Sequence, residues 1–459
     1  MLIIARKEIL LHLRESRFPW IVGLFSGLIL LSLLVSAADT RRREATSHAH
    51  ETAERHRLDN LDLSGTPAQQ VRRHTDGQGL YAFRTPIPLA SLAAGVERLL
   101  PNRIHVSEDR SWPRQTTEGF YRNPLADLFP QLDFASIVAT VLSLVGLFFT
   151  YDAFTGEKAD GTLKLTLSSG VSRAQILAGK WAGSCLTLAV PFLLTTLAAV
   201  LLIQPGWLDD QKLARLAGSV GLALINLSLF VTAGLAISAF SRSPSASLLA
   251  ALAVWVLSVF VGPPLLSSAG SFVEPTPTLQ EVNMQKRAID GDMWTEITRI
   301  NSQLESKAIS QETRDRRVES LQSEAEASRN RIVEAYERIL DAQVEISRKL
   351  AALTPAGSYL VSASETAGTG LSNYKETLRS FRRYQTAFHH YTADLKERSS
   401  RDELGPDWFR VEALPLLQPY RPSIASSAEA VALEVILLMS LHAIVAALAW
   451  VGFLRFDVR

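Results

Sequence analysis

The residues of this chain that could do chemistry are charged side chains gathered in residues 151–183, between two long apolar runs. Ser172 and Gln175 have the spacing of a capping box, which predicts that a helix begins there. We therefore expect a polar hairpin of two short helices on the face of a membrane protein, where it can serve as a docking surface. Its charged residues are Asp152, Glu157, Lys158, Asp160, Lys164, Arg173 and Lys180.

Motifs for nucleotide binding and for hydrolysis are absent from the sequence. The segment nearest to a phosphate-binding loop, Gly179-Lys180, lacks the preceding glycine and is followed by Trp181. Neither G-x-S-x-G nor H-E-x-x-H occurs, and Cys185 is the only cysteine. We predict no catalytic residue, no cofactor and no enzymatic activity in this chain.

Histidines are the remaining candidates for metal binding. His48, His50 and His56 lie in a stretch rich in Arg and Glu, with no other ligand type suitably spaced. His389-His390 is a second pair. We interpret both groups as solvated helix flanks and predict no metal site.

Composition indicates apolar spans combined with a large water-exposed part. The chain has 459 residues, of which 47% are hydrophobic and 20% are charged. Its formal net charge is +1, so no polyanionic partner such as nucleic acid is expected.

Six apolar runs predict an all-α membrane protein with six transmembrane helices. Short connections between the third, fourth and fifth runs indicate antiparallel neighbours in a bundle. The predicted spans are residues 18–38, 132–150, 184–203, 213–240, 246–267 and 429–454.

Residues 1–17 precede the first span and predict an interfacial amphipathic helix that lies on membrane lipid. The alternative is an ordinary surface helix. Val35-Ser36-Ala37 also resembles a signal-peptide cleavage site, but the apolar run is longer than a signal peptide requires.

Two polar inserts, residues 39–131 and 268–428, predict a mainly helical domain outside the bundle. Apolar residues at spacings of three and four between residues 279 and 353 indicate either one very long helix or a hairpin, and we favour the hairpin. The seam either packs within the domain or meets a second copy. Aromatic residues on a third helix, near residues 371–397, are interpreted as core.

Basic residues predict the orientation, because short cytoplasmic segments are enriched in Lys and Arg. They place both termini and residues 151–183 in the cytoplasm and both inserts outside. Arg41, Arg42 and Arg43 argue against this orientation. The basic residues of the predicted inner side are Arg6, Lys7, Arg14, Arg17, Lys158, Lys164, Arg173, Lys180, Arg242, Arg455 and Arg459.

Glu434 and His442 are ionisable residues inside the last predicted span, eight residues apart and so roughly on one face. An intramembrane charge is a functional candidate. Alternatively, Glu434 lies near the outer end of the span and reaches water.

Four motifs carry a resemblance to the permease subunits of ABC-2 type exporters: Gly156-Glu157-Lys158, Asp160-Gly161-Thr162-Leu163, Val171-Ser172-Arg173 and Gly179-Lys180. In that family the corresponding segment contains the coupling helix, which sits in a groove of the ATPase subunit. The resemblance therefore implies an ATPase-coupling role for Glu157, Lys158, Asp160, Gly161, Thr162, Leu163, Val171, Ser172 and Arg173.

A second similarity covers the later insert and the C-terminus. It is carried by Leu353-Thr354-Pro355, Ala367-Gly368-Thr369, the helix from Phe381 to Phe388 and the terminal Phe456-Asp457-Val458-Arg459. These segments resemble a subset of ABC-2 permeases with a large uncharacterised extracytoplasmic insert before the last span. Copper-enzyme maturation permeases belong to the same broad class, but no Met or Cys cluster supports copper here.

The resemblance implies a permease subunit of an ATP-driven exporter in the bacterial inner membrane. Two ATPase subunits, which carry ATP and Mg²⁺, and a second copy or a similar permease are the expected partners. The alternative is a transmission module that moves no solute and uses ATP hydrolysis to act on a periplasmic or envelope partner.

Overall fold

The computed structural model describes residues 1–60, 64, 66–72, 74, 79–106, 133–168, 170–203, 209–401, 403–404, 408–409 and 413–455. The later part of the first insert, the link at residues 204–208 and the terminal residues 456–459 lie outside these ranges.

The described chain is almost entirely helical, with one short two-stranded antiparallel sheet that the sequence did not predict. In the sheet Leu80 pairs with Val106 and Phe83 with Arg103. The strands are β1 (Leu80–Phe83) and β2 (Arg103–Val106). The helices are α1 (Leu2–Arg14), α2 (Phe18–Asp59), α3 (Pro67–Arg72), α4 (Phe134–Phe148), α5 (Thr155–Ala159), α6 (Thr162–Ser168), α7 (Arg173–Ile203), α8 (Asp210–Phe240), α9 (Pro244–Val273), α10 (Leu279–Glu305), α11 (Gln311–Ala351), α12 (Pro355–Ala367), α13 (Leu371–Ser400) and α14 (Ile424–Arg455).

Five of these helices, α2, α7, α8, α9 and α14, are long and apolar enough to cross a membrane. Helix α4 falls on the predicted span 132–150 but is shorter, and it contains a π-helical stretch at Val138–Leu142. The predicted all-α membrane fold is confirmed, while the number of six spans stays a prediction. Helix α2 continues without a break to Asp59, so the predicted boundary between the first span and its insert is not a helix end.

The bundle core joins large apolar side chains from several helices. In a bilayer, close packing rather than exclusion of water drives such association. The core includes Phe25 and Ile29 of α2, Phe134 and Leu142 of α4, Leu188 and Phe192 of α7, Leu222 and Leu227 of α8, and Tyr359 of α12.

Helix α12 changes the predicted division between bundle and insert. It lies within residues 268–428, predicted to project outside, yet it packs against α8 and α14 and buries Tyr359 completely. Thr354 caps its start through the Gly357 N–H, and Gly368 ends it at φ 81°. The small and hydroxyl-bearing residues of α12 permit this packing against α8 and α14, because such side chains let neighbouring helices approach closely.

The far-end domain, which comprises the described residues of 39–106, 274–351 and 371–422, has a core to which both inserts contribute. Leu58, Leu80 and Ile104 of the first insert pack with Tyr336, Phe381, Tyr384 and Phe388 of the second. The interpretation of the α13 aromatic residues as core is confirmed. Residues 279–351 form two helices rather than one, and their seam residues Val282, Ile297 and Ile300 are buried within the chain.

Helix α11 is fixed to the bundle where α9 ends. A Cβ atom placed on Gly270 would lie 3.0 Å from the Ser347 backbone nitrogen. A Cβ atom placed on Gly262 would lie 2.8 Å from Thr354 Cγ2. Only glycine permits these approaches. The end of α11 and the residues that follow it are therefore attached to α9 through close contacts at these glycines.

Replacing Gly270 by alanine should weaken this attachment. Because the Ser347 backbone nitrogen cannot rotate away, we expect the free energy of unfolding to fall by about 1–3 kcal/mol. Gly291→Ala in α10 is the matched control, since nothing lies within 4 Å of its Cβ position, and it should stabilise the helix by up to about 1 kcal/mol. A denaturant titration in detergent measures both; equal effects would contradict the packing described.

Candidate functional site

Residues 151–183 contain two short helices, α5 and α6, and then the start of α7. A helix does begin after Ser172, but it is the long α7 and not the second short helix of a hairpin. Gly161 and Gly170 have φ of 72° and 77°, a left-handed conformation that favours glycine. The capping box is present: Gln175 N donates to Ser172 Oγ at 3.3 Å, and Ser172 N donates to Gln175 Oε1 at 3.4 Å. The backbone of this segment is therefore defined by local sequence.

Hydrogen bonds anchor the segment to two spans. The backbone N–H groups of Phe154 and Thr155 donate to Ser238 Oγ of α8 at 3.0 and 3.3 Å. The Ser247 hydroxyl of α9 donates to the Tyr151 carbonyl. The entry to α5 therefore cannot shift without moving α8 and α9.

A small apolar cluster lies beneath the two short helices. Leu163, predicted to contact an ATPase, is 1% exposed and packs with Phe154, Ile176 and Phe453. The Phe154 and Phe453 rings stack with centroids 4.3 Å apart. Leu163 holds α6 on the bundle, so a direct contact between this side chain and a partner is excluded in this conformation.

Helix α1 lies directly across the start of α7. Cβ atoms placed on Gly179 and Gly183 would lie 2.7 Å from the Cβ atoms of Ile4 and Glu8. The two glycines are one helical turn apart and let the helices approach closely. The predicted interfacial helix thus has one face against α7, while Leu2 and Ile3 are more than 80% exposed on its other side.

Lys180 lies at the centre of a charge cluster made of Lys7, Glu8, Glu157 and Lys180, in which Lys7 is exposed and Lys180 and Glu8 are buried. Its Nζ is 2.8 Å from Glu8 Oε1 and 3.1 Å from Glu157 Oε1. Lys7 Nζ is 2.8 Å from the same Glu157 oxygen. Lys180 and Glu8 are 2% and 5% exposed. One ammonium group therefore connects α1, α5 and α7.

The charge cluster changes the role of Glu157. Burial raises the pKa of this carboxyl, but the Lys180 charge and the Lys7 hydrogen bond lower it by more, so the net pKa lies below its ordinary value. Glu157 is ionised and held inside the chain. The sequence predicted it as a docking residue, and the structure shows it paired within the chain to two lysines.

Arg173 is likewise engaged within the chain. Its guanidinium donates to the backbone carbonyls of Phe453 and, at 3.0 Å, of Leu454, in the last turn of α14. A cation at a helix C-terminus complements the unpaired carbonyls and the helix dipole. The last span is thereby connected to the start of α7.

The outward-facing residues between 160 and 165, which exclude the buried Leu163, form an exposed ridge. Asp160, Gly161, Thr162 and Lys164 are exposed, and Leu165 is 71% exposed. Lys158 and Val171 are half-buried, and Ser172 is exposed. Sequence reasoning missed Leu165, because nothing in the pattern shows which leucine of a seven-residue helix faces outward.

Glu434 and His442, the intramembrane candidates, have separate partners. His442 Nε2 is 3.1 Å from Thr232 Oγ1 and 3.3 Å from Ser228 Oγ, both in α8. Glu434 is fully buried, with Oε1 3.1 Å from Nε of Arg348 at the end of α11. The suggestion that Glu434 reaches water is wrong, because α11 covers it. Glu434 instead links the last span to the far-end domain.

Metal ligands do not converge within the described ranges. No group of three or more His, Cys, Asp or Glu side chains there could hold a metal ion. His48 lies 3.8 Å from Glu51, one helical turn away, and both side chains are exposed.

In a comparison with known proteins, residues 2–458 of this chain match the family described as "ABC-2 family transporter protein". A probable ABC transporter permease protein NosY from Stutzerimonas stutzeri is 34% identical over 149 residues, covering 28% of this chain and 52% of the relative. The NosY protein of Pseudomonas aeruginosa is 31% identical over 145 residues, with the same two coverages. The alignments thus span about half the length of these relatives.

Replacing Lys180 by methionine should strongly destabilise the protein. Glu157 would keep Lys7, but Glu8 would be buried without a partner, and loss of one member of a buried pair costs about 3–5 kcal/mol. Lys164→Met, on the exposed ridge, is the control and should change stability by about 0.5 kcal/mol or less. Denaturant titration in detergent compares them. A Lys180→Met effect as small as that of Lys164→Met would show that the charge cluster contributes little.

Lowering the pH should release α1 from α7 through His12. Burial lowers the pKa of His12, the Glu8 charge raises it by less, and the Lys180 charge adds to the lowering. The stabilisation is therefore complete above the ordinary value of 6.5 and is lost as the pH falls through the lower folded value. Limited proteolysis of α1 from about pH 7 to about pH 5 should show this. His12→Gln should flatten the profile; an unchanged profile would contradict the assignment.

Proposed function

The chain belongs to the ABC-2 family of transporter proteins, and on that premise we propose that it receives mechanical work from ATPase subunits through the exposed ridge of residues 160–165. It is the membrane permease subunit of an ABC transporter, and that family works with ABC ATPase subunits. The proposal concerns how the two are coupled and what results from the coupling.

The observation that carries the proposal is an exposed ridge on a fixed base. Leu165, Lys164 and Asp160 face outward, while Leu163 and Glu157 hold the same two helices to the bundle. An apolar side chain flanked by charges is suited to docking, because the apolar contact supplies affinity and the charges set the register. The structure supports a division of the family motif into outward docking residues and inward anchoring residues.

The base distributes a displacement of the ridge over the bundle. Glu157 connects it to α1 and α7 through the lysines, Ser238 connects it to α8, and Ser247 connects it to α9. Arg173 adds α14. A movement of the ATPase would therefore reach four spans and the interfacial helix together, which a flexible loop could not transmit.

We propose export as the direction of transport and a second copy or a similar permease as the other half of the pathway. The protein is a multi-pass membrane protein; its placement in the bacterial inner membrane with cytoplasmic termini is part of the proposal and is supported by the basic residues near the ridge. ATP and Mg²⁺ would be bound by the ATPase subunits.

A second candidate function is a transmission module that acts on an envelope partner without moving solute. The observation that favours it is the fixed joint between the bundle and the far-end domain. Glu434 pairs with Arg348, and Gly270 contacts Ser347. Through this joint a movement of α9 and α14 would turn α11. Proteoliposomes distinguish the candidates: hydrolysis stimulated by a far-end partner without solute movement favours transmission.

Leu165→Asp should uncouple the ATPase without unfolding the permease. Loss of an exposed apolar contact from a docking surface costs about 1–2 kcal/mol, or roughly a tenfold loss of affinity for the ATPase subunits. Met284→Asp is the matched control, since Met284 is an exposed apolar residue of α10 in the far-end domain. Permease-stimulated ATP hydrolysis and the thermal midpoint are measured for both. Stimulation that is equal in the two variants would refute docking at the ridge.

A further inference from the structure

A basic cleft lies at the end of the bundle opposite the ridge. Its volume is about 350 Å³, and it opens between the start of α8, the end of α12, the segment before α14 and residues 84–89 of the first insert. Arg84, Lys212, Arg215 and Arg421 line it, and Asp209 is the carboxylate among its lining residues. These lining residues therefore carry three more formal positive charges than negative ones.

Arg84 distinguishes this cleft from a group of solvent-exposed charges, because its guanidinium is buried and only partly paired. The residue is 4% exposed, and its Nη1 is paired with Glu97 at 2.7 Å. Among the described residues its Nε and Nη2 have no hydrogen-bond partner. A buried guanidinium with unused N–H groups is costly unless an acceptor meets it. Nε and Nη2 are adjacent donors, a geometry suited to an oxyanion.

Arg215 forms the wall of the cleft and holds its charge in place. Its Nη1 donates to the Thr366 carbonyl at 2.8 Å and to Ser427 Oγ at 3.0 Å, and its Nη2 donates to the Pro422 carbonyl at 2.6 Å. These acceptors are neutral, so they fix the side chain without cancelling its charge. A Cβ atom placed on Gly368, whose φ is 81°, would lie 3.3 Å from Arg215 Nη1. Glycine at this position therefore leaves room for the guanidinium.

Part of the lining is apolar and continuous with the bundle. Ile87 and Leu89 line the cleft and also belong to the core formed by α2, α4, α7 and α8. Arg215 lies near the start of a spanning helix, and Tyr420 and Arg421 lie just before another. The cleft therefore lies at one end of two helices long and apolar enough to cross a membrane, with cationic side chains beside apolar ones.

We propose that this cleft binds a phosphate-type oxyanion, with Arg84 and Arg421 as its ligands and Arg215 as a fixed positive charge. The apolar wall beside the cations favours a phosphate carried on a lipid over free phosphate. A lipid phosphodiester would place its head at the arginines and its chains along Ile87 and Leu89. The site is separate from the ridge, so it can be occupied whether or not the proposed ATPase docking is correct.

The test uses the full-length protein in phosphatidylcholine nanodiscs. One arm adds phosphatidylglycerol and measures its retention by native mass spectrometry; the other titrates inorganic phosphate by calorimetry. Arg421→Gln is the principal variant, because Arg421 is exposed and its replacement should leave the fold intact. Arg379→Gln in α13, an exposed arginine away from the cleft, is the control.

We expect retention of phosphatidylglycerol over phosphatidylcholine in the parent protein, with a roughly tenfold loss in Arg421→Gln and none in Arg379→Gln. Arg84→Lys, which keeps the charge but removes the paired donors, should also lose retention at an unchanged thermal midpoint. Binding of inorganic phosphate with the same dependence on Arg421 would support the oxyanion site and assign it to a free anion. Equal retention of both lipids with no phosphate binding, or an unaffected Arg421→Gln variant, would overturn the proposal.

Discussion

The buried ammonium of Lys180 is the interaction on which the rest of this arrangement depends. Two carboxylates from different parts of the chain, Glu8 of α1 and Glu157 of α5, meet it on α7. Taking such charges out of water is expensive, and the pairing repays that cost only if all members are present. The charge cluster therefore acts as a specific joint: α1 and α5 are either both in place on α7 or the cluster is broken.

Under the proposal that ATPase subunits dock at the ridge, a joint of this kind would let a chain with no nucleotide motif respond to ATP hydrolysis elsewhere. The exposed ridge is short and exposes one large apolar side chain, Leu165. Its stiffness comes from contacts with α7, α8 and α9. At the other end of the bundle, glycine contacts and the Arg348–Glu434 pair attach a long helical hairpin to the spans. The same bundle can thus carry a displacement from the ridge to the far-end domain, and the basic cleft lies beside that second attachment.

Local features of the site could be predicted from the sequence, and contacts between distant segments could not. The Ser172 capping box and the turns at Gly161 and Gly170 depend on neighbouring residues alone. The burial of Lys180 depends on Glu8, 172 residues earlier, and a lysine beside a glycine in a polar stretch reads as a surface charge. Leu163 and Leu165 are indistinguishable until the underside of α6 is known. The sequence places α12 in the outer insert, because its packing on α8 and α14 cannot be read from the local pattern.

The most direct test of the account is whether α1 and the short helices move as one body when ATP binds. Spin labels at Leu11 and Ser168, both exposed, can be placed in a Cys185→Ser background, since Cys185 is the only cysteine. Their separation is measured in the complex with the ATPase subunits, without nucleotide and with ATP trapped. The account predicts an unchanged distance between Leu11 and Ser168, and a changed distance from Leu11 to a label at Met284 in the far-end domain. A changed Leu11–Ser168 distance would contradict it, because the Lys180 joint would then not hold during the ATP cycle.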